Sequence, residues 1–377
     1  MRLETICFGK NFNALRGLFL VLVWLLALVV PLCAFGRTNT TVAIVGDDFY
    51  INGQPTYAGR LWHGHRIQGL LLNSRMVQAT FDDRNTNTVA RWAYPDTGRW
   101  DVERNTREFI AAMPDWRRHG LLAVTVNLQG GSPEGYSSAQ PWENSAFNPD
   151  GSLRTNGFAR LEKILDRADE LGMAVILGYF YFGQDQRLTD EAAVIRATDN
   201  TTHWLLEQGW RNVLVEIDNE CNVSYHHDIL KPARVSELIS RVQRQQLDGR
   251  RLLVSTSYGG GAVPGTNIVG VADFLLLHGN GMSRPAAVAE LVRKTRALCA
   301  KPKPILFNED DHYDFDRPQN NFTVAVGEHA SWGFFDYRRK GEGFDEGYQS
   351  VPVNWGISSA RKREFFQLVA EITGSKP

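Results

Sequence analysis

Apolar positions beyond residue 100 follow two alternating patterns. Residues 158–171 place their apolar side chains on one face of a helix, and Gly172 follows where a C-terminal helix cap belongs. On either side, residues 121–128 and 173–182 are largely apolar, which is typical of strands buried on both faces. The pattern therefore predicts a helix between two buried strands.

The same alternation continues to the C-terminus. Further helices are expected at 107–120, 190–209, 232–249, 285–299 and 359–374, and further strands at 213–217, 251–258, 273–279, 304–310 and 330–337. At least one more strand is expected within 67–94, at 67–75 or at 88–94. Eight strands alternating with helices over about 320 residues indicate an α/β fold, the (β/α)8 or TIM barrel. A doubly wound open sheet would also alternate, but no glycine-rich phosphate turn follows the first strand.

The segment ahead of the barrel contains a hairpin signal. In "DDFYINGQPTY", residues 47–57, apolar stretches flank Asn52-Gly53, a pair that favours a two-residue turn. We expect a short N-terminal β-hairpin here. Residues 37–47 are expected to form a linker, and residues 48–377 a single domain.

The first 36 residues have the pattern of an export signal. Arg2, Lys10 and Arg16 precede about 18 apolar residues without a charge, and small residues follow. We expect residues 1–36 to be a signal peptide cleaved after Gly36, which predicts a secreted or periplasmic protein. The alternative is an uncleaved N-terminal membrane anchor, because the apolar run is at the lower limit for spanning a bilayer.

Composition narrows the classes of partner. The formal net charge is -1, so no excess of basic residues points to nucleic acid. The chain contains 10 Trp, 11 Tyr and 20 Phe, which suits a large core and also flat ligands such as sugars. Outside the leader the cysteines are Cys221 and Cys299. We expect both to be buried free thiols.

Two carboxylates occupy matching positions at strand ends. Glu220 follows the fourth predicted strand and Glu309 the seventh, and each comes directly after an Asn. In a (β/α)8 barrel the chemistry lies at the carboxyl ends of the strands, so these side chains are expected to face each other. A carboxyl pair across a cleft can hydrolyse a glycosidic bond. At about 5 Å the two charges would repel by roughly 3 kcal/mol, so one Glu is expected to stay protonated.

These motifs resemble the clan A glycoside hydrolases, among them the family 5 cellulase-like enzymes. The resemblance rests on Asn219-Glu220, on Glu309 after a Pro-led apolar strand, and on "FYINGQPTY". It implies a retaining O-glycoside hydrolase that acts on a poly- or oligosaccharide without cofactor or metal. It further implies that Glu220 is the acid/base, that Asn219 binds the sugar 2-hydroxyl and that Glu309 is the nucleophile. Cys221 stands where the clan often has Pro.

Other candidates for binding substrate follow the remaining strands. His278 resembles the clan's sixth-strand His, although the Tyr expected near it is absent. Trp332 is expected to form the floor under the sugar ring. Arg75 or Arg91 is expected to hydrogen-bond the nucleophile, the alternative being that they form structural salt bridges. The remaining candidates are Asn127 and Tyr181. The long loop 130–148, which contains Trp142, is expected to wall the cleft.

Two other functions are open. A metal-dependent barrel hydrolase would use ligands such as those in "DDH", residues 310–312, and "HHD", residues 226–228. Neither stretch has the ligand spacing of a zinc site, and adjacent strand residues point to opposite faces. The other alternative is a carbohydrate-binding barrel without activity.

Overall fold

The computed structural model describes residues 40–137 and 139–377. The predicted signal peptide, residues 1–36, lies outside the described residues. Within the part that is described, no helix combines the length and the apolar character needed to cross a bilayer.

An N-terminal sheet precedes the barrel. Its strands are β1 (Val42–Val45), β2 (Asp48–Ile51) and β3 (Gln54–Pro55). The predicted hairpin joins β2 to β3, with φ of 53° at Asn52 and 74° at Gly53, the left-handed values that a type I′ turn requires. The linker prediction for residues 37–47 is wrong at β1. This segment pairs with β2 in antiparallel register because Val42 and Ile44 pack against the apolar cluster around Phe49.

Eight parallel strands follow the short hairpin of β4 (Leu61–Trp62) and β5 (His65–Arg66). They are β6 (Asn73–Arg75), β7 (Ala123–Asn127), β8 (Ala174–Tyr181), β9 (Val213–Asn219), β10 (Leu253–Ser255), β11 (Leu275–His278), β12 (Ile305–Glu309) and β13 (Gly333–Phe334). One sheet has the order β10-β9-β8-β7-β6-β13, and β11 pairs with β12. The bond from Asp273 N–H to Val254 O joins β10 to the start of β11, and a parallel bridge joins Leu306 to Ser331. The strands therefore close into the predicted barrel.

Eight helices surround these strands in the described part of the chain. They are α1 (Val102–Arg118), α2 (Thr155–Leu171), α3 (Glu191–Gln208), α4 (Val235–Arg244), α5 (Thr266–Val271), α6 (Pro285–Ala297), α7 (Asn321–Gly327) and α8 (Ala360–Thr373). Gly172 ends α2 with φ of 66°, as its sequence position predicted. Of the two candidates for the first barrel strand, 67–75 is correct, because Val89–Trp92 form a 3-10 helix.

The barrel interior differs between its two ends. At the amino ends of the strands it is filled by an apolar cluster that includes Phe49, Leu122, Leu214 and Leu276, all buried. Phe49, supplied by β2, packs edge-on against Phe274 and plugs this end. Towards the carboxyl ends the buried side chains become polar. Their positions define the candidate site.

Candidate active site

Glu220 and Glu309 meet at the carboxyl ends of β9 and β12, the fourth and seventh barrel strands, as predicted. One carboxylate oxygen of each and a ring nitrogen of His278 lie within 4.8 Å of one another. The Glu309 side chain is 6% exposed and the Glu220 side chain 14% exposed, so both are largely withdrawn from water. Two acidic groups and an imidazole therefore share one small volume.

Irregular backbone at two strand ends brings these groups together. Glu220 has φ of 55°, a conformation that costs energy for a residue with a side chain, and its N–H donates to Ser257 Oγ at 2.9 Å. Between β11 and β12 the register shifts, so that His278 pairs with Glu309 and Asn308 is the extra residue. Such a bulge re-aims side chains at the end of a strand. Asn308 instead donates to the buried Glu216 at 3.1 Å.

An ion pair with Arg75 and a hydrogen bond from Asn280 hold the Glu309 carboxylate. Arg75 Nε lies 2.8 Å from Glu309 Oε2, and Arg75 Nη2 donates to Asn219 Oδ1 at 2.8 Å. Asn280 Nδ2 donates to Glu309 Oε1. Of the two candidate arginines, Arg75 is therefore the one beside Glu309, and it also fixes the amide of Asn219. Asn280 was not among the predicted site residues, although it stands two positions after His278, near where the clan's Tyr is expected.

His278 bridges the two glutamates. Its Nδ1 lies 2.9 Å from Glu220 Oε1 and 3.5 Å from Glu309 Oε2. Burial lowers the pKa of His278, but the charge of Glu309 and the hydrogen bond to Glu220 outweigh it, so the pKa is raised overall. The imidazole therefore favours its protonated form between the two carboxyl groups.

The two carboxyl groups differ in how they hold a proton. Burial raises the pKa of Glu309, against the opposing charges of Arg75 and His278. Burial acts in the same sense on Glu220, but its hydrogen bond to His278 and the charges of His278 and Arg75 lower the pKa of Glu220 overall. The pKa values of the two groups are shifted in opposite directions, as expected for such a pair. These directions are opposite to those required by an acid at Glu220 and an ionised nucleophile at Glu309.

Trp332 does not form a sugar platform, and this prediction is wrong. The side chain is fully buried, stacks on Phe322 with ring centroids 4.8 Å apart and donates from Nε1 to Asp310 Oδ2 at 3.0 Å. It belongs to the aromatic core around Phe365. The sequence could not distinguish these two interpretations, because an aromatic residue near a strand end can form either a sugar-binding platform or part of the core.

Within the described chain no hydrogen bond or ion pair joins Arg91 or Asn127 to either glutamate. Arg91 is exposed and its nearest acidic partner is Glu134 at 3.4 Å, and a role for Arg91 in binding substrate stays a prediction. Asn127 is buried at the end of β7 beside Gly178, where a Cβ would meet Asn127 Oδ1 at 2.2 Å. Among the described residues, neither polar atom of its side chain has a hydrogen-bond partner. A role for Asn127 in binding substrate stays a prediction.

The loop after β7 reaches the site through Tyr136, which sequence reasoning missed. Tyr136 is 52% exposed, its hydroxyl donates to Asp311 Oδ2 at 3.0 Å, and its ring packs edge-on against Tyr337. Burial of the phenol and the charge of Glu309 raise the pKa of Tyr136, which places this hydroxyl in the field of the site. Trp142, the aromatic residue expected to wall the cleft, is buried. The signal for Tyr136 was its place in a glycine-rich loop after a strand.

Tyr181 lies at the edge of the same site. Its hydroxyl is 3.1 Å from Ser132 Oγ, and its ring stacks on Phe182. Burial and the charge of Glu309 raise the pKa of Tyr181, while Arg75 opposes them. Tyr181 is therefore close enough to sense both charged groups, in keeping with its prediction as a site residue.

The acidic stretches proposed as metal ligands are occupied by other contacts. Asp310 accepts from His312, Asn321 and Trp332 and is fully buried. In the other stretch His227 Nε2 lies 3.1 Å from Leu188 O, and Asp228 Oδ1 accepts from Lys231 Nζ at 2.6 Å. Glu220, His278 and Glu309 are also close enough to hold an ion, but the Arg75 guanidinium beside Glu309 would repel a cation there. These contacts do not favour a metal-dependent hydrolase.

Cys221 and Cys299 are free, as expected. Cys221, next to Glu220, is buried, whereas Cys299 is only half-buried.

Solved structures share this fold at low sequence identity. A glycoside hydrolase family 5 mannosidase from Rhizomucor miehei is 12% identical, with 90% of this chain and 98% of that chain covered and a TM-score of 0.52. An endo-1,4-beta-mannanase from the same organism is 12% identical, with 89% and 100% covered and a TM-score of 0.56. A beta-1,4-D-mannanase from Cryptopygus antarcticus is 13% identical, with 90% and 97% covered and a TM-score of 0.52. No protein-family model and no curated protein matches the sequence.

The chain thus has the barrel fold of glycoside hydrolase family 5 structures, which confirms the fold that the resemblance implied.

Proposed function

We propose that this protein is a retaining O-glycoside hydrolase that acts on a poly- or oligosaccharide. The observation that carries the proposal is the pair Glu220 and Glu309, with oxygens within 4.8 Å, at the fourth and seventh strand ends of a barrel. Retaining glycosidases place their carboxyl groups about 5–5.5 Å apart, whereas inverting ones keep about 6.5–9.5 Å for a water molecule. The short separation supports direct attack by a carboxylate.

In the proposed reaction Glu309 attacks the anomeric carbon while Glu220 donates a proton to the departing oxygen. Glu220 then takes a proton from water, and the resulting hydroxide releases the sugar from Glu309. Arg75 Nη2 holds Asn219 by its Oδ1, which fixes the amide of the residue proposed to bind the sugar 2-hydroxyl. Arg75 and Asn280 stabilise the carboxylate form of Glu309 that attacks and that later leaves.

Glu220 must acquire a proton before it can act as the acid, because its hydrogen bond to His278 and the charges of His278 and Arg75 favour its ionised form. His278 Nδ1, 2.9 Å from Glu220 Oε1, is the group that can supply it. A bound sugar would cover the part of Glu220 that still faces water, and loss of that hydration favours the neutral acid. The substrate is therefore expected to move the proton from His278 to Glu220.

The substrates to test first are β-linked hexose polymers. Similar structures carry the names of mannanase, mannosidase and endoglucanase, and their fold is the one found here. The aromatic rings of Tyr136 and Tyr337 at the rim provide flat faces for sugar rings. We further propose that residues 1–36 direct export, which N-terminal sequencing of the protein from its native source would test.

The decisive experiment is a screen of mannans, glucans and aryl glycosides with product stereochemistry followed by NMR. We expect retention of the anomeric configuration, and inversion would remove the nucleophile assignment. Glu220→Gln should lose most activity on substrates with poor leaving groups and far less on activated aryl glycosides. Equal loss on both would argue against the acid role. Turnover that survives chelation excludes the metal-dependent reaction, and any turnover excludes a barrel that only binds carbohydrate.

A further inference from the structure

A second cavity opens on the carboxyl-end side of the barrel, away from the two glutamates. It has a volume of about 490 Å³ and lies between the segments that follow β6 and β7 and the first turn of α2. Three arginines line it, Arg84, Arg154 and Arg160, and Asp82 is the acidic residue among its lining. The lining is therefore positively charged, in contrast to the acidic centre of the barrel.

The first turn of α2 borders this cavity, since Thr155, Asn156 and Gly157 all line it. The residue before them, Arg154, provides no side-chain cap, and the first turn contains no acidic residue. By contrast, α1 and α3 begin with a capping Asp and a Glu in the first turn. A helix N-terminus is positively polarised and favours an anion nearby.

A buried and incompletely bonded guanidinium supports the same conclusion. The Arg160 side chain is 5% exposed, with Nη2 2.9 Å from Asp82 and Nη1 3.4 Å from Glu103. Its Nε–H has no hydrogen-bond partner among residues 40–137 and 139–377. A buried donor of this kind normally finds an acceptor, and Arg160 is one of the residues that line the cavity.

Arg84 and Arg154 add like charges on the same cavity. Arg154 is paired with Glu143 at 3.1 Å, but its Nε–H is also unpartnered within the described chain. Burial and the neighbouring charge of Arg84 lower the pKa of Arg154. Arg84 itself is exposed and forms no ion pair with any described residue. Two guanidinium groups that repel each other across a cavity are accommodated best when an anion lies between them.

We propose that this cavity binds a tetrahedral oxyanion, a sulfate or phosphate group, held by Arg84, Arg154, Arg160 and the N–H groups that begin α2. Helix N-termini and arginines are the two commonest protein ligands of such groups. The group can be a free ion or an ester on a sugar. The proposal does not depend on the hydrolase activity proposed above.

The test is a calorimetric titration of the full-length protein with inorganic sulfate and phosphate, with chloride holding the ionic strength constant. We expect saturable binding to the wild type. Arg84→Gln should weaken it about tenfold, the loss expected for one charge-assisted hydrogen bond. Arg107→Gln, the same change on the exposed face of α1, should leave it unchanged.

Asn156→Asp separates loss of binding from loss of folding. A carboxylate in the first turn of α2 would occupy the place of the anion, so binding should disappear while Tm rises. Wild-type protein that responds to sulfate and phosphate no more than to chloride would overturn the proposal. So would Arg84→Gln and Asn156→Asp variants that bind as the wild type does.

A further arm identifies the source of the group. Glucose 6-sulfate and glucose 6-phosphate are compared with the inorganic ions and with glucose. Tighter binding of the esters, with none of glucose alone, assigns the site to a substituted sugar. Tighter binding of the inorganic ions assigns it to the free ion. Because binding is measured without turnover, neither result depends on whether the protein hydrolyses glycans.

Discussion

The two ends of the barrel interior are built from the same strands by opposite chemistry. At the amino ends Leu214 and its neighbours form an apolar cluster with Phe49. Two and four residues further along β9 stand Glu216 and Asp218, both fully buried, and burial raises the pKa of Asp218 well above its ordinary value. Apolar burial at one end stabilises the fold, and that stability allows ionisable side chains to be buried at the other end. Substitutions at the two ends should therefore separate stability from activity.

The largest effect is expected at the polar end. Glu309→Ala removes the proposed nucleophile and should lower kcat by at least about a thousandfold. Added azide should not restore a product of the natural configuration, since it would reach the anomeric carbon from the vacated side. Kinetics on an aryl glycoside, with NMR of any azide product, measure both. Retained activity in this variant would exclude Glu309 as nucleophile.

The apolar end should show the reverse behaviour. Phe49→Ala leaves a cavity at the plug of the barrel and should lower the free energy of unfolding by about 3–5 kcal/mol. Activity per folded molecule should be unchanged, because Phe49 belongs to the apolar cluster at the amino ends of the strands. Urea unfolding and active-site titration check the two parts. Val45→Ala, at an exposed position of β1, is the matched control. Loss of kcat without loss of stability would contradict the separation.

A smaller effect is expected at Asn280, which we interpret as a positioning residue. Asn280→Ala removes a hydrogen bond to Glu309 and should lower kcat about tenfold with little change in KM. Because that donor stabilises the carboxylate, the acid limb of the pH profile should move to higher pH. Asn280→Asp, which places a like charge there, should be more damaging. An unchanged pH profile in both variants would reduce Asn280 to a structural role.

The smallest effect concerns His278 and pH. Since its pKa is raised in the folded protein, its protonated form contributes stability that is present below the ordinary His pKa and is lost as pH rises through the folded value. The stability difference between wild type and His278→Gln should therefore be larger near about pH 6 than near about pH 9. Urea unfolding at both pH values measures it. His63→Gln, at an exposed histidine, is the control for the substitution itself.

Sequence predicted those parts of the molecule that depend on local pattern. The helical stripe ending at Gly172, the Asn52-Gly53 turn and the positions of Glu220 and Glu309 all follow from spacing along the chain. Trp332 was wrong because its surroundings come from distant segments. Asn280 and Tyr136 acquire a role only through a register shift and a loop that crosses the barrel mouth. The buried Glu216 was not predicted as part of the site, because it lies within a strand whose neighbouring residues are mostly apolar.

The left-handed backbone at Glu220 has a consequence for how this protein would change over generations. A glycine would sit in that conformation at no steric cost, so the chain holds a glutamate where folding alone would select another residue. If selection on activity were relaxed, Glu220 would be free to change to glycine, which would give a more stable but inactive protein. Conservation of glutamate at position 220 among homologous proteins would therefore indicate continued selection for the activity.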